Sequence, residues 1–526
     1  MTSKHASQSS TSSRTSKRKP RAPRKRAAHG TSAWDPALLL ILLSGLCVAL
    51  CSWKGWTLYY GDAEAHLNIA RRVVDSRTPG YEQLGTVWLP LPHVLMLPMV
   101  VSRFLWRTGL AGAIPSAAAF VAAGTFLFLS ARRLFDSAIA GWVAMFVFAL
   151  NPNMLYLQSI PMTESLSFGC LTGLLYFTIR FADSHASTDA AAAGIFALLG
   201  TLTRYEGWFV LPFAALYLLS AKRWAPFVVF CMIAGLGPLY WLAHNWWYFG
   251  NPLEFYNGYY SAKQIYQRAL DAGGFRYPGD GDWSKAWLYY RTAVELCTGA
   301  PLLWVGSLGC IVAIVRRAWW PVILLATYPV FYLLSMHGSG TPIFVPTLWP
   351  NTYYNTRYGL SMLPLLALGA AACANIQNLK WIAVLIVPAV VVPWIAYPHP
   401  NGWVCWKESQ VNSEGRRAWT RDASDYLGPR YRTGDGIITS FGDLSGILRR
   451  SNIPLREALH EGNGPLYRSA INRPDLFLWE DWAITLEGDP LSQMMRRQLR
   501  KKPRFELVTT FSQPNQKTVE IYRRLR

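Results

Sequence analysis

Long apolar runs, separated by short turns bearing charge, glycine or proline, dominate this sequence. The first, Pro36 to Trp53, has no charge between Asp35 and Lys54, and about 20 apolar residues can cross a bilayer as a helix. Further runs predict spans at about 111–131, 138–157, 165–182, 189–203, 207–220, 225–248, 293–315, 319–336, 360–376 and 381–397. The segment 88–107 is equally apolar but contains Pro90, Pro92 and Pro98, along with His93. Two polar segments stand out. One is 249–292, rich in Tyr and Gly. The other, 398–526, has short apolar runs at 437–441, 476–479, 506–511 and 519–522, with helical stretches at 443–450 and 490–500. Strands alternating with helices predict a small α/β domain. There is no dinucleotide-type glycine fingerprint, fixed-period repeat, heptad pattern or pair of inverted halves.

Composition agrees with a polytopic membrane protein. The 526 residues are 52% hydrophobic and only 15% charged, with a mean hydropathy of +0.14. A soluble domain carries about 25% charge, so an ordinary soluble enzyme, a disordered chain and a disulfide-stapled scaffold are all disfavoured. The net charge of +21 is concentrated: residues 1–30 hold nine Lys and Arg and no Asp or Glu. This stretch reads as a disordered cytosolic tail that orients the protein, with nucleic-acid or lipid-headgroup binding as its alternative reading. The eight cysteines fit neither a zinc site nor a disulfide framework and read as small apolar fillers.

The positive-inside rule decides how 88–107 is placed. If it spans, Arg132–Arg133, Lys222–Arg223, Arg316–Arg317 and Lys380 all fall outside. If it lies on the outer surface, all fall inside. The expectation is therefore a juxtamembrane segment, about eleven transmembrane helices, a cytoplasmic N-terminus and an extracytoplasmic C-terminus. The chain divides into a tail (1–34), a mainly α membrane domain (35–397) with outer loops 54–110 and 249–292, and an extracytoplasmic α/β domain (398–526). The C-terminus bears no retention signal, which suggests a bacterial plasma (inner) membrane.

In that topology every candidate acid and base lies on the outer face, beside lipid. Asp62, Glu64 and His66 follow the first span. In a helix, Asp62 and His66 share a face and Glu64 turns away, while Leu67, Ala70, Val73 and Val74 form an apolar stripe that could lie on the membrane. Such a carboxylate could take a proton from a hydroxyl, Asp62 and His66 could hold a divalent metal, or the loop could simply be solvated. Glu164 opens an apolar run, either facing a cavity or serving as a helix N-terminal carboxylate near Thr163. Arg204 and Glu206 sit between two short apolar runs, lining a site or pairing to close a hairpin. Arg357 precedes a late span, with His337 in the same loop. Arg204 and Arg357 would suit a phosphate, since guanidinium forks match its oxygens. A basic residue at a membrane edge can equally be a snorkelling anchor.

The order of these features resembles the GT-C superfamily of integral-membrane glycosyltransferases, especially the branch of protein O-mannosyltransferases and lipid A aminoarabinose transferases. The likeness rests on GDAEAH after the first span, then VWLPLPHVLMLP, ARRLF, NPNMLYLQSIPMTE, LTRYEGW and RYGLSMLP, and covers about 36–365. It implies transfer of a sugar from a polyprenyl-phosphate donor to an acceptor hydroxyl on a protein, lipid or glycan, usually with inversion. It places the catalytic aspartate at Asp62 and the second acid at Glu164, where relatives often have Asp. The phosphate-contacting base falls at Arg204, where relatives often have Lys. His66 is expected to assist, Arg357 to share the phosphate, and Glu64, Glu206, Tyr358 and His337 to contact substrate. No cofactor is expected, and metal use varies across the superfamily, so a divalent metal stays open. Besides the donor and acceptor, the expected partners are membrane lipids, not nucleic acid. Rival readings are an O-antigen ligase or polymerase using a diphosphate-linked donor, a lipid or solute transporter, and a receptor-like assembly protein.

Overall fold

A computed structural model describes residues 34–376, 381–396, 402–501, 504–514 and 516–525. The basic tail and Lys380 lie outside the described residues. The uncharged first run forms α1 (Trp34–Trp53). Three shorter helices follow: α2 (Gly61–Val74), α3 (Leu91–Val100) and α4 (Arg103–Thr108). The bundle continues through α5 (Leu110–Phe135), α6 (Ala138–Ala149), α7 (Pro152–Leu157), α8 (Glu164–Ser184), α9 (Ser187–Thr201), α10 (Glu206–Ser220) and α11 (Trp224–Phe249). Two loop helices, α12 (Glu254–Asn257) and α13 (Ala262–Asp271), lead to α14 (Trp283–Thr298), α15 (Ala300–Val315), α16 (Trp319–His337), α17 (Leu363–Ala374) and α18 (Ile382–Ala396). Among the described residues, six helical segments are long and apolar enough to cross a membrane, or seven if the bent pair α14–α15 counts as one. The chain is a mainly helical integral membrane protein with a small C-terminal sheet.

Each of the eleven expected spans has a helical counterpart, but two are broken. The run 138–157 stops at Ala149 and restarts at Pro152, where the Asn151 side chain accepts from the amides of Asn153 and Met154 at 3.0 and 3.1 Å. The run 293–315 breaks at Gly299, whose φ of +81° is followed by Pro301 at the start of α15, and the two helices meet at 106°. The segment 88–107 splits into α3 and α4. At ten residues, α3 is about 15 Å long, half the hydrocarbon thickness.

Close crossings set the late helices. A Cβ on Gly309 of α15 would lie 1.8 Å from the carbonyl oxygen of Gly369 on α17. Small residues at such a crossing let two backbones touch. A Cβ at Gly359 would come 2.3 Å from the Ala293 carbonyl oxygen. This seats the 3-10 turn Thr356–Met362 against α14 and so fixes Arg357 and Tyr358.

The C-terminal region opens with α19 (Val404–Leu427) and carries α20 (Ser445–Arg450), α21 (Pro465–Asn472), α22 (Pro474–Phe477) and α23 (Pro490–Lys501). Its sheet has five strands in the order β2-β1-β3-β5-β4: β1 (Ile437–Thr439), β2 (Ala458–Leu459), β3 (Trp482–Leu486), β4 (Phe505–Phe511) and β5 (Val519–Arg524). β1 runs parallel to β2 and β3, and β5 antiparallel to β3 and β4. The expected strand at 476–479 is absent. Pro474 starts a helical turn there and Trp479 is 74% exposed, whereas the buried WAITL of β3 takes the place in the sheet. Residues 32–526 form one unit. Val404 and Cys405 belong to the bundle core, and α2 and α3 share a core with α19, α20 and the sheet. That packing corrects the first half of the expected membrane-lying stripe of α2: Leu67 and Ala70 are fully buried against protein, whereas Val73 is half-buried and Val74 is exposed. All eight cysteines are free thiols.

Candidate active site

Six sequence-predicted residues, from four segments of the chain, converge at one end of the bundle. Asp62 is the second residue of α2, Glu164 the first of α8 and Glu206 the first of α10. Carboxylates suit these positions because helix N-termini carry partial positive charge. Arg204 lies in the turn before α10, and Arg357 and Tyr358 in the 3-10 turn before α17.

Arg357 is the hub. Its Nη2 donates to Asp62 in a short contact, its Nε donates to Glu164 Oε1 at 3.1 Å, and its Nη1 lies 3.6 Å from Glu408 Oε1. Its guanidinium also sits over the rings of Tyr60 and Tyr358 at 5.0 and 5.1 Å. Glu408, on α19, accepts from the backbone amides of Asn355 and Thr356 at 3.0 and 2.8 Å. It therefore pins the turn that presents Arg357. Arg204 is the second hub: Nε donates to Glu206 at 2.7 Å, Nη1 to Thr163 Oγ1 at 2.7 Å, and Nη2 to the Tyr332 hydroxyl at 2.8 Å. Nη1 also stands 3.5 Å from Glu164. The Arg204–Glu206 pair of the hairpin reading thus exists and is part of the larger network. Thr163 takes the cap position of α8 but turns its hydroxyl to Arg204 and makes no cap bond.

The network is short of cations. Asp62, Glu164, Glu206 and Glu408 face two arginines. Burial pushes the Glu408 carboxyl up, against the pull of Arg357. Burial also pushes Asp62 up, but Arg357, with Arg204 and His66 helping, holds the carboxyl below its ordinary value. Although ringed by protein, Asp62 keeps 40% of its side chain accessible. Within this network two buried atoms have no hydrogen-bond partner among the described residues, Glu164 Oε2 and the Tyr60 hydroxyl. Buried polar atoms normally find a partner, so both have capacity for a ligand.

Three predicted residues make their direct contacts outside this network, although His66 still feels the charges of Asp62, Glu164, Arg204 and Arg357. Glu64 accepts from Arg416 at 2.6 Å and Arg449 at 3.0 Å, both from the C-terminal region. The His66 ring nitrogen Nδ1 is 2.9 Å from His93 Nε2, and the ring packs tilted against Trp88 with centroids 4.4 Å apart. Burial lowers His66 to about 4, so it is neutral at pH 7. His337 stacks on Trp283 at the end of α16, with ring centroids 3.9 Å apart. Among the described residues no group of three or more His, Cys, Asp or Glu is placed to hold a metal. Sequence reasoning missed Glu408, Tyr60 and Tyr332. Glu408 had no signal, lying in a segment that reads as a separate domain.

The arrangement has the GT-C fold of membrane glycosyltransferases, as the order of motifs implied. Residues 98–247 match the family of dolichyl-phosphate-mannose-protein mannosyltransferases. Among solved structures, the chain is similar to ArnT from Cupriavidus metallidurans in the apo state, with a TM-score of 0.55 at 14% identity over 93% of this chain and 98% of that one. The same protein bound to undecaprenyl phosphate matches with a TM-score of 0.53 at 13% identity, over 90% and 97% of the two chains. No curated protein matches by sequence.

Proposed function

We propose that this chain is a membrane glycosyltransferase that moves a sugar from a polyprenyl-phosphate donor to an acceptor hydroxyl on the outer face of the membrane. The carrying observation is Arg357 bridging an accessible Asp62 to Glu164 beside Arg204. The shared fold of a protein that binds undecaprenyl phosphate supports the donor class. In this reading the tail is cytoplasmic, the C-terminal region is extracytoplasmic, and the membrane is a bacterial plasma membrane. The acceptor is a protein, lipid or glycan.

The chemistry follows from the network. The acceptor oxygen attacks the anomeric carbon, the bond from that carbon to the phosphate oxygen breaks, and the hydroxyl proton passes to Asp62. The polyprenyl phosphate leaves with the bonding electrons, and Arg204 and Arg357 stabilise its charge. A carboxylate held low by Arg357 is a weak base. When donor phosphate draws Arg357 toward itself, Asp62 loses its partner and its proton affinity rises as the acceptor arrives. Glu164 and Glu206 then retain Arg204 and orient the sugar, with Glu64, His66, Tyr358 and His337 as further positions to probe for substrate contact. A carboxylate base requires no cofactor.

The test is Asp62→Asn in reconstituted transfer with labelled polyprenyl-phosphate sugars, following product by mass spectrometry. Loss of turnover by about a hundredfold or more, with donor affinity kept, is expected. Wild-type turnover would remove Asp62 as the base. Transfer only from diphosphate-linked donors would replace the donor class.

A further inference from the structure

A second site lies on the other side of α2. A groove of about 1000 Å³ runs between the end of α1, α4, α19 and α20. Seven arginines line it against two glutamates, Glu64 and Glu414. Arg416 and Arg449 are held by Glu64. The other five are differently placed. Arg417 lies over the Tyr59 ring at 4.0 Å with its Nε on Ser413, and Arg421 and Arg450 touch only exposed or half-exposed aspartates. Arg103 and Arg107, on α4, have no acidic partner among the described residues. A concave wall with such an excess of fixed positive charge concentrates anions. Guanidinium forks match phosphate oxygens in particular.

The position of the groove selects the kind of anion. Ser52 and Gly55, where α1 ends, form part of its lining. Phe104 also lines it and is 66% exposed, and Val101 one turn earlier is 63% exposed. An apolar rim beside an arginine-lined groove at the end of a spanning helix is the arrangement that receives a headgroup while its chains stay in the bilayer. We infer that this groove binds the phosphate-bearing headgroup of an anionic membrane lipid, separately from the Asp62 site. The bound headgroup bridges α4 to α19 and α20, so it ties the C-terminal region to the membrane surface.

The full chain in nanodiscs with equal phosphatidylglycerol and phosphatidylcholine gives the test, with co-purified lipid counted by native mass spectrometry. The wild type should retain phosphatidylglycerol preferentially. The double variant Arg103→Glu/Arg107→Glu, both on exposed positions, should lose that preference by at least about tenfold. The double lysine variant should keep most of it. Equal retention of the two lipids by the wild type, or an undiminished preference in the double glutamate variant, would overturn the inference. Displacement of phosphatidylglycerol by millimolar inorganic phosphate would also overturn it, because the groove would then read a free anion. Should the glutamate variant fail to fold, the wild-type preference and the lysine variant still decide.

Discussion

Asp62 and Glu64 stand two residues apart on α2 and face opposite sides of it. On the bundle side, four carboxylates share Arg204 and Arg357, and Asp62 keeps 40% of its side chain accessible. On the other side, Glu64 is 6% exposed and is gripped by two arginines from the C-terminal region, in a wall where arginines outnumber acids. A cation-poor cluster can exchange partners when an anion arrives, because that anion competes for arginines already divided among several acids. A carboxylate with two arginines of its own has nothing to gain by moving. In the proposed reading, the same helix therefore presents the general base to the membrane bundle and a structural latch to the C-terminal region.

Breaking the bundle side should have the largest effect. Arg357→Ala leaves Glu408 buried without its cation and Glu164 with only the longer contact to Arg204, a loss of about 3–5 kcal/mol. Thermal unfolding should show it, together with loss of donor binding, while Arg357→Lys keeps part of both. Breaking the other side separates the two roles. Glu64→Gln should cost about 1–3 kcal/mol and speed proteolysis or hydrogen exchange in the C-terminal region, yet leave turnover within a few-fold. A deeper loss of turnover than of stability would place Glu64 in the reaction.

Smaller effects sharpen the contrast. Arg204→Lys retains charge but loses the fork shared by Glu206, Thr163 and Tyr332, so donor KM should rise about tenfold with a smaller change in kcat. For His66, the folded form stays neutral down to about pH 4, while the unfolded form gains a proton near pH 6.5. Stability from this group is therefore present at pH 7 and lost as pH falls between those values, by up to about 1.4 kcal/mol per pH unit. Wild-type Tm should fall more steeply from pH 7 to 5 than that of His66→Gln.

Much of this site was legible because its residues interrupt apolar runs. Asp62, Glu164, Arg204, Glu206 and Arg357 each stand at the end of such a run, where a charge must find a partner, and the order of motifs grouped them. The placements that failed depend on contacts distant in sequence. The apolar stripe of α2 reads equally well as facing lipid or protein, and only the C-terminal region, some 370 residues on, decides it. Glu408 carries no apolar neighbourhood to mark it, and His337 shares a loop with Arg357 but stacks on Trp283 instead. The strand expected at 476–479 failed because apolar composition outweighed Pro474 in the reading.

The central claim is that donor phosphate takes Arg357 from Asp62. A cryo-EM structure of the full chain with bound polyprenyl phosphate tests it directly. Phosphate oxygens are expected about 2.7–3.2 Å from Arg204 or Arg357 guanidinium nitrogens, with the Asp62 contact to Arg357 opened. A phosphate bound elsewhere, with Arg357 still closed on Asp62, would contradict it.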